Sequence, residues 1–160
     1  MEANNKIREE VLQAVMGLSD EGLNVKLEEG KWTIMQVLEH LYLTERTITN
    51  MISHQLVNGG SKKVSDKPIE LTVVRTTKAQ SPSFMVPSED FMTLEEMKNK
   101  LSKSREAFSN VVNTADPTLL EQRSYVHPVF GELSLKQWIP FVGLHEKRHL
   151  AQIEELKSGL

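Results

Sequence analysis

Residues 134–157 read SLKQWIPFVGLHEKRHLAQIEELK, and this stretch decides the fold. Leu135, Trp138, Ile139, Val142, Ile153 and Leu156 recur at the three- and four-residue spacing that lays one apolar stripe along a helix. Ser134, followed three residues later by Gln137, forms a capping-box pair that starts the helix, and Gly159 follows its end near Lys157. Pro140 lies beyond the first turn, where its missing N–H removes a backbone bond, so a local kink is expected. A helix with one apolar stripe needs other apolar faces to bury it.

The rest of the chain supplies three such faces. The first helix spans about 5–18, with Ile7, Val11, Leu12, Val15 and Leu18 at helical spacing and Gly17 and Gly22 around its end. The second starts after a cap at Thr33, carries Ile34, Val37, Leu38, Leu41, Ile48 and Ile52, and stops near Val57 before Asn58-Gly59-Gly60. Trp32 sits just ahead of that cap. The third opens with the Thr93–Glu96 capping box, places Leu94, Met97, Leu101, Phe108 and Val111 on a seven-residue seam, and ends at Asp116-Pro117.

Three connections separate these helices. Residues 19–31 are polar. Residues 61–92 contain Pro68, Pro82 and Pro87 and are long enough for a crossover, with a β-prone piece at 69–74 expected to be extended. Residues 117–133 are read as irregular. Four amphipathic helices without a convincing sheet predict an all-α, four-helix bundle with long crossover connections, occupying residues 1–160 as one domain.

Composition narrows the functional classes. The chain is 39% apolar, enough for one core, and its 19 Lys and Arg against 22 Asp and Glu give a net charge of −3. There is no overall basic pull towards nucleic acid or anionic lipid, so neither is an expected partner. No apolar run approaches the roughly 20 residues of a membrane-spanning helix. Residues 1–17 lack an apolar signal core, which makes a cytoplasmic location the expectation. The absence of cysteine excludes disulfides, thiolate nucleophiles and Cys-ligated zinc or iron–sulfur sites.

The chemistry concentrates on histidines. His145 and His149 are four residues apart, so they project from nearly the same helix face. On a wheel with Leu135 at zero, His149 falls at about 320° and His145 at about 280°, against a stripe centred near 340°. Two inward imidazoles are costly to bury without polar partners, and a shared divalent cation is one such partner. Two hydrogen-bonded core histidines fit the same spacing.

The string His145-Glu146-Lys147-Arg148-His149 also spells the zinc-protease signature, with Glu146 as its base. No His, Asp or Cys follows to complete it, although Glu154 and Glu155 do, and no sheet is expected to line a peptide.

A third ligand decides between these readings. His40, near 240° on the second-helix wheel, is placed to reach a neighbouring helix, although taken alone a solvated or rim position fits it better. His54 is expected to face water, and His127, before Pro128, is a loop candidate for a ligand or substrate contact. Glu45 and Glu146 each fall near 20° on their wheels, inside the apolar arc. They are candidate catalytic carboxylates, or else members of interhelical ion pairs with Arg46 or Arg148. Gln152, near 260°, borders the His145 side or faces solvent. The seven methionines, Met35, Met51, Met85, Met92 and Met97 among them, read as gap-fillers rather than soft ligands. Lys62-Lys63 reads as a solvated spot in a linker, and Ser81–Pro87 either caps a pocket or links helices over the surface.

The pattern Trp32-Thr33…His40-Leu41, then His127-Pro128-x-Phe130-Gly131-x-Leu133…Trp138…His145-x-x-Arg148-His149-Leu150-Ala151-Gln152-Ile153, resembles the DinB-like superfamily of metal-binding four-helix bundles. The resemblance covers most of the chain, and its C-terminal motif is the specific part. It implies a divalent metal, zinc or nickel, held by His40, His145 and His149. It also implies reactions on small molecules, since related proteins include transferases and isomerases that use low-molecular-weight thiols.

The expected function is therefore a divalent-metal-dependent enzyme with a small-molecule substrate, either a hydrolase or a small-thiol-dependent transferase. The alternative is a non-catalytic, metal-stabilised helical binding module. A homodimer is expected from an all-helical surface with exposed Leu and Met.

Overall fold

The computed structural model describes residues 1–76 and 85–160. Four long helices dominate it: α1 (Glu2–Val15), α3 (Ile34–Asn58), α4 (Leu94–Thr114) and α6 (Leu135–Ser158). Short helices α2 (Asp20–Asn24) and α5 (Pro117–Gln122) lie in the connections, and β1 (Ser124–His127) pairs antiparallel with β2 (Gly131–Ser134). The four-helix bundle expected from the apolar stripes is present.

Local chemistry sets the helix starts. Thr33 Oγ1 accepts from the Gln36 amide at 3.0 Å while Gln36 Oε1 accepts from the Thr33 amide at 2.9 Å, a full capping box. Thr93 and Glu96 repeat it at the start of α4. At α6 only half of the box forms. Ser134 Oγ accepts from the Gln137 amide, but the Gln137 side chain turns to the backbone of Lys67, accepting from its N–H and donating to its C=O at 2.8 Å each. That pair pins the crossover to the start of α6.

Two expectations are corrected. The β-prone stretch forms a 3-10 helix, Ile69–Val73, and among the described residues no strand lies beside it to supply a ladder. Residues 117–133 are ordered: Asp116 caps α5 with Pro117 in its first turn, and the hairpin turns through Gly131 at φ +75°. Pro140 lies inside α6, as the sequence places it.

The core falls into two apolar layers. One contains Val11, Val15, Leu38, Leu41, Met97, Leu101 and Ile153. The other contains Ile48, Ile52, Phe108, Leu135, Trp138 and Val142. On each long helix the chain passes between layers at an inward charge: the buried Arg8 on α1, Glu45 on α3 and Glu146 on α6, and the partly buried Arg105 on α4. The order of layers gives the helix directions. α3 and α4 run the same way, and α1 and α6 run opposite to them. Linking the parallel neighbours α3 and α4 requires a return along the bundle, which is why the 61–92 connection is long.

α1 approaches α6 closely at Gly143, where an added Cβ would lie 2.2 Å from Asn4 Oδ1. Asn4 Nδ2 donates to the Ile139 carbonyl at 2.8 Å.

Candidate metal centre

α3 and α6 bring three imidazoles together. His40, His145 and His149 each offer a ring nitrogen, and these nitrogens lie within 4.8 Å of one another. The ring centroids are 4.6–5.0 Å apart. His40 Nε2 and His145 Nε2 are 3.1 Å apart, close to the roughly 3.3 Å between two nitrogens on one tetrahedral zinc ion.

The hydrogen bonds assign the free nitrogens. His40 Nδ1 faces the Met85 carbonyl at 2.8 Å, so Nδ1 carries the proton and Nε2 keeps its lone pair. His149 Nδ1 donates to Gln152 Oε1 at 2.7 Å, which leaves its Nε2 lone pair free in the same way. Gln152 therefore takes the site-facing of its two expected roles. Trp32 packs on His40 with centroids 5.0 Å apart.

All three rings are held neutral. Burial lowers the His40 pKa, with the Met85 carbonyl opposing it in part. Burial, then the proximity of His40, takes His149 down to about 4. His145 is driven well below the usual histidine range by burial, then by His149 and His40. Neutral imidazoles are the donor set a borderline divalent cation takes. His145 Nε2 lies 3.1 Å from the His40 Nε2 lone pair and, with no ion bound, donates its N–H to it; moving that proton to Nδ1 turns the His145 lone pair inward as well. The residues present fit such an ion.

The other candidates lie elsewhere. Glu45 and Glu146 are buried ion-pair partners of Arg8 and Arg105, not of Arg46 or Arg148. Glu45 also accepts from Ser104 Oγ at 2.6 Å. Arg46 meets the Tyr42 hydroxyl, and Arg148 donates to the carbonyls of Thr72 and Val74. His127 is buried among Phe130, Trp138 and Phe141, and its Nδ1 accepts from the Val129 and Phe130 amides. Burial lowers its pKa to about 4.

His54 is exposed, Met35 and Met97 fill the core, and Lys62 is exposed near Glu132. Of the 81–87 segment, residues 81–84 lie outside the described residues, while Met85 contacts the site through its carbonyl.

Sequence reasoning missed that carbonyl, which no side-chain pattern reports. It also missed Arg8 and Arg105. The signal for both was present: Arg8 precedes Val11 and Val15 by three and seven residues, and Arg105 sits between Leu101 and Phe108, so each lies on its helix's apolar face.

Fold and site together define a histidine-bearing, metal-competent helical bundle, and comparison with known proteins places it. The profile of the DinB superfamily matches residues 4–153, and the chain belongs to that superfamily. It is 37% identical over 156 residues to YuaE, an uncharacterised protein of Bacillus subtilis (strain 168), covering 98% of this chain and 96% of that one. Two solved structures share the fold with a TM-score of 0.65. TT2238, a four-helix bundle protein, is 21% identical, over 96% of this chain and 94% of its own. YfiT from Bacillus subtilis, described as a probable metal-dependent hydrolase with an unusual four-helix bundle topology, is 16% identical, over 98% of this chain and 83% of its own. No helix among the described residues is long and apolar enough to cross a membrane.

Proposed function

We propose that this protein is a divalent-metal-dependent hydrolase of a small-molecule substrate, with zinc or nickel held by His40, His145 and His149. The observation that supports it best is the convergence of three neutral imidazoles, two with their outer nitrogens already engaged by Met85 and Gln152. Three ligands leave a coordination position open, where such an ion lowers the pKa of water or stabilises a thiolate. The description of YfiT favours hydrolysis. The chain has no cysteine, so in a transferase reading the thiol comes from a low-molecular-weight co-substrate. Glu45 and Glu146, each neutralised by two arginines, are read as structural rather than as the catalytic base.

Elemental analysis of protein prepared without an affinity tag is the test. About one equivalent of divalent metal per chain is expected, lost in His40→Ala and His145→Ala. Ester and amide hydrolysis is then assayed with and without chelator and with added small thiols. Wild-type protein that retains no zinc or nickel after incubation with either overturns the metal reading. Metal that raises the melting temperature while every substrate fails supports the non-catalytic module. Sizing chromatography checks the expected homodimer.

A further inference from the structure

Among the described residues, one buried side-chain polar atom has no hydrogen-bond partner. Thr44 is 4% exposed, and its hydroxyl oxygen has no hydrogen-bond partner among the described residues. A buried hydroxyl without a partner is expensive, and helical threonines ordinarily avoid the cost by donating to the carbonyl four residues back. Two neighbours on the same helix do this: Thr47 donates to Leu43 and Thr49 to Glu45, both at 2.8 Å. Thr114 on α4 does the same to Asn110 at 2.7 Å. Thr44 forgoes the bond that its neighbours make.

Its position in the helix register gives the reason. Thr44 follows His40 by four residues, so it lies on the same side of α3, one turn along and about 40° round. The two helices are antiparallel, and two fixed points set their levels. His40 stands opposite His145 and His149, and Glu45 shares Arg8 and Arg105 with Glu146. Thr44 lies between these points along α3, which places it at the level of the His145 turn.

We propose that the Thr44 hydroxyl is the hydrogen-bond partner of the non-protein ligand, water in the resting protein, that completes the coordination of the ion. The proposal rests on the metal reading above. It makes Thr44 a positioning residue: a hydroxyl fixed on the helix orients the lone pairs and protons of the incoming oxygen, and binding there satisfies the orphaned group.

The test uses the full-length chain loaded with cobalt(II), whose visible spectrum reports both binding and ionisation of the water it carries. Three proteins are compared: wild type, Thr44→Val, which keeps the shape and removes the hydroxyl, and Thr44→Ser, which keeps the hydroxyl. Thr44→Val is expected to weaken cobalt binding about tenfold, measured by chelator competition, and to move the spectral pH transition upward. Thr44→Ser is expected to stay within about twofold of wild type. Without metal, Thr44→Val is expected to melt no lower than wild type, because it loses only an unpaired group.

Matching affinity and matching pH transition in wild type and Thr44→Val overturn the proposal while leaving the metal reading intact. A lowered melting temperature of metal-free Thr44→Val overturns it too, since the hydroxyl is then bonded within the protein. A wild type that takes up no cobalt overturns both readings.

Discussion

Replacing Glu146 with alanine removes one of four charges from the layer that divides the core. Glu146 Oε1 accepts from Arg8 Nε at 2.5 Å and Oε2 from Arg105 Nη2 at 2.6 Å. Glu45 is held by the same two arginines, at 3.1 and 2.7 Å. The Glu146 pKa is raised, by burial first, with the charges of Arg8 and Arg105 and the Arg8 hydrogen bond opposing it in part. The group as a whole is neutral, two guanidiniums against two carboxylates.

Glu146→Ala leaves two buried positive charges facing one negative charge. Removing one partner from a buried pair costs about 3–5 kcal/mol, a large part of a stability that for a domain is about 5–15 kcal/mol. At about 2–4 °C per kcal/mol for a chain of this size, the melting temperature drops by about 6–20 °C. The measurement is urea unfolding followed by far-ultraviolet circular dichroism, on metal-free protein at pH 7. The double variant Arg8→Met with Glu146→Leu removes one charge of each sign and substitutes apolar bulk, so it is expected to recover much of the loss. The reasoning is refuted if Glu146→Ala stays within about 1 kcal/mol of wild type, or if the double variant loses the full sum of its two single changes.

Three further expectations follow from the same geometry. Gly143→Ala places a Cβ 2.2 Å from Asn4 Oδ1 and 3.2 Å from Asn4 Cα, so α1 must move off α6; a loss of about 1–3 kcal/mol is expected in urea unfolding. Gln152→Leu frees the outer nitrogen of His149 and is expected to weaken zinc binding about 10- to 100-fold in a chelator competition, with the metal-free fold intact. For pH, His127 and His149 both have folded pKa values lowered to about 4 from 6.5, so the unfolded chain takes up protons first. The metal-free protein is therefore expected to keep this contribution above pH 6.5 and to lose it progressively down to about pH 4, read as falling urea midpoints, with a shallower fall in His127→Gln.

What the sequence made legible follows from how each feature is written in it. Ile34, Val37, Leu38 and Leu41 lie on one helix face, and that periodicity survives tertiary packing, so α3, α4 and α6 were readable to within a residue or two at each end. His145 and His149 were visible as a pair because four residues is one turn. His40 required a resemblance, because no local rule says which distant helix lies opposite. The 69–74 stretch is misread because β-propensity describes a residue's fit to a sheet, and among the described residues no strand neighbours Ile69–Val73. The hairpin at 124–134 was passed over because its strands are four residues each, too short to show alternation.

The buried charges show why the site depends on more than its ligands. An apolar interface between α3 and α6 tolerates sliding by a turn, since Leu, Ile and Val interchange with small loss. A layer of four charges does not. Glu45 and Glu146 each meet both Arg8 and Arg105 in one register, and a slip of one turn, about 5.4 Å, strands charges in the apolar layers on either side. His40 precedes Glu45 by five residues, and His149 follows Glu146 by three, so on antiparallel helices the register that satisfies the charges also brings the imidazoles face to face. The same slip would carry His40 past both partners, since its Nε2 is 3.1 Å from that of His145 in the native register. Separation of the three rings thus accompanies any rearrangement that breaks the charge layer, and the metal affinity of Glu146→Ala should fall together with its stability although Glu146 touches none of the three histidines' ring nitrogens.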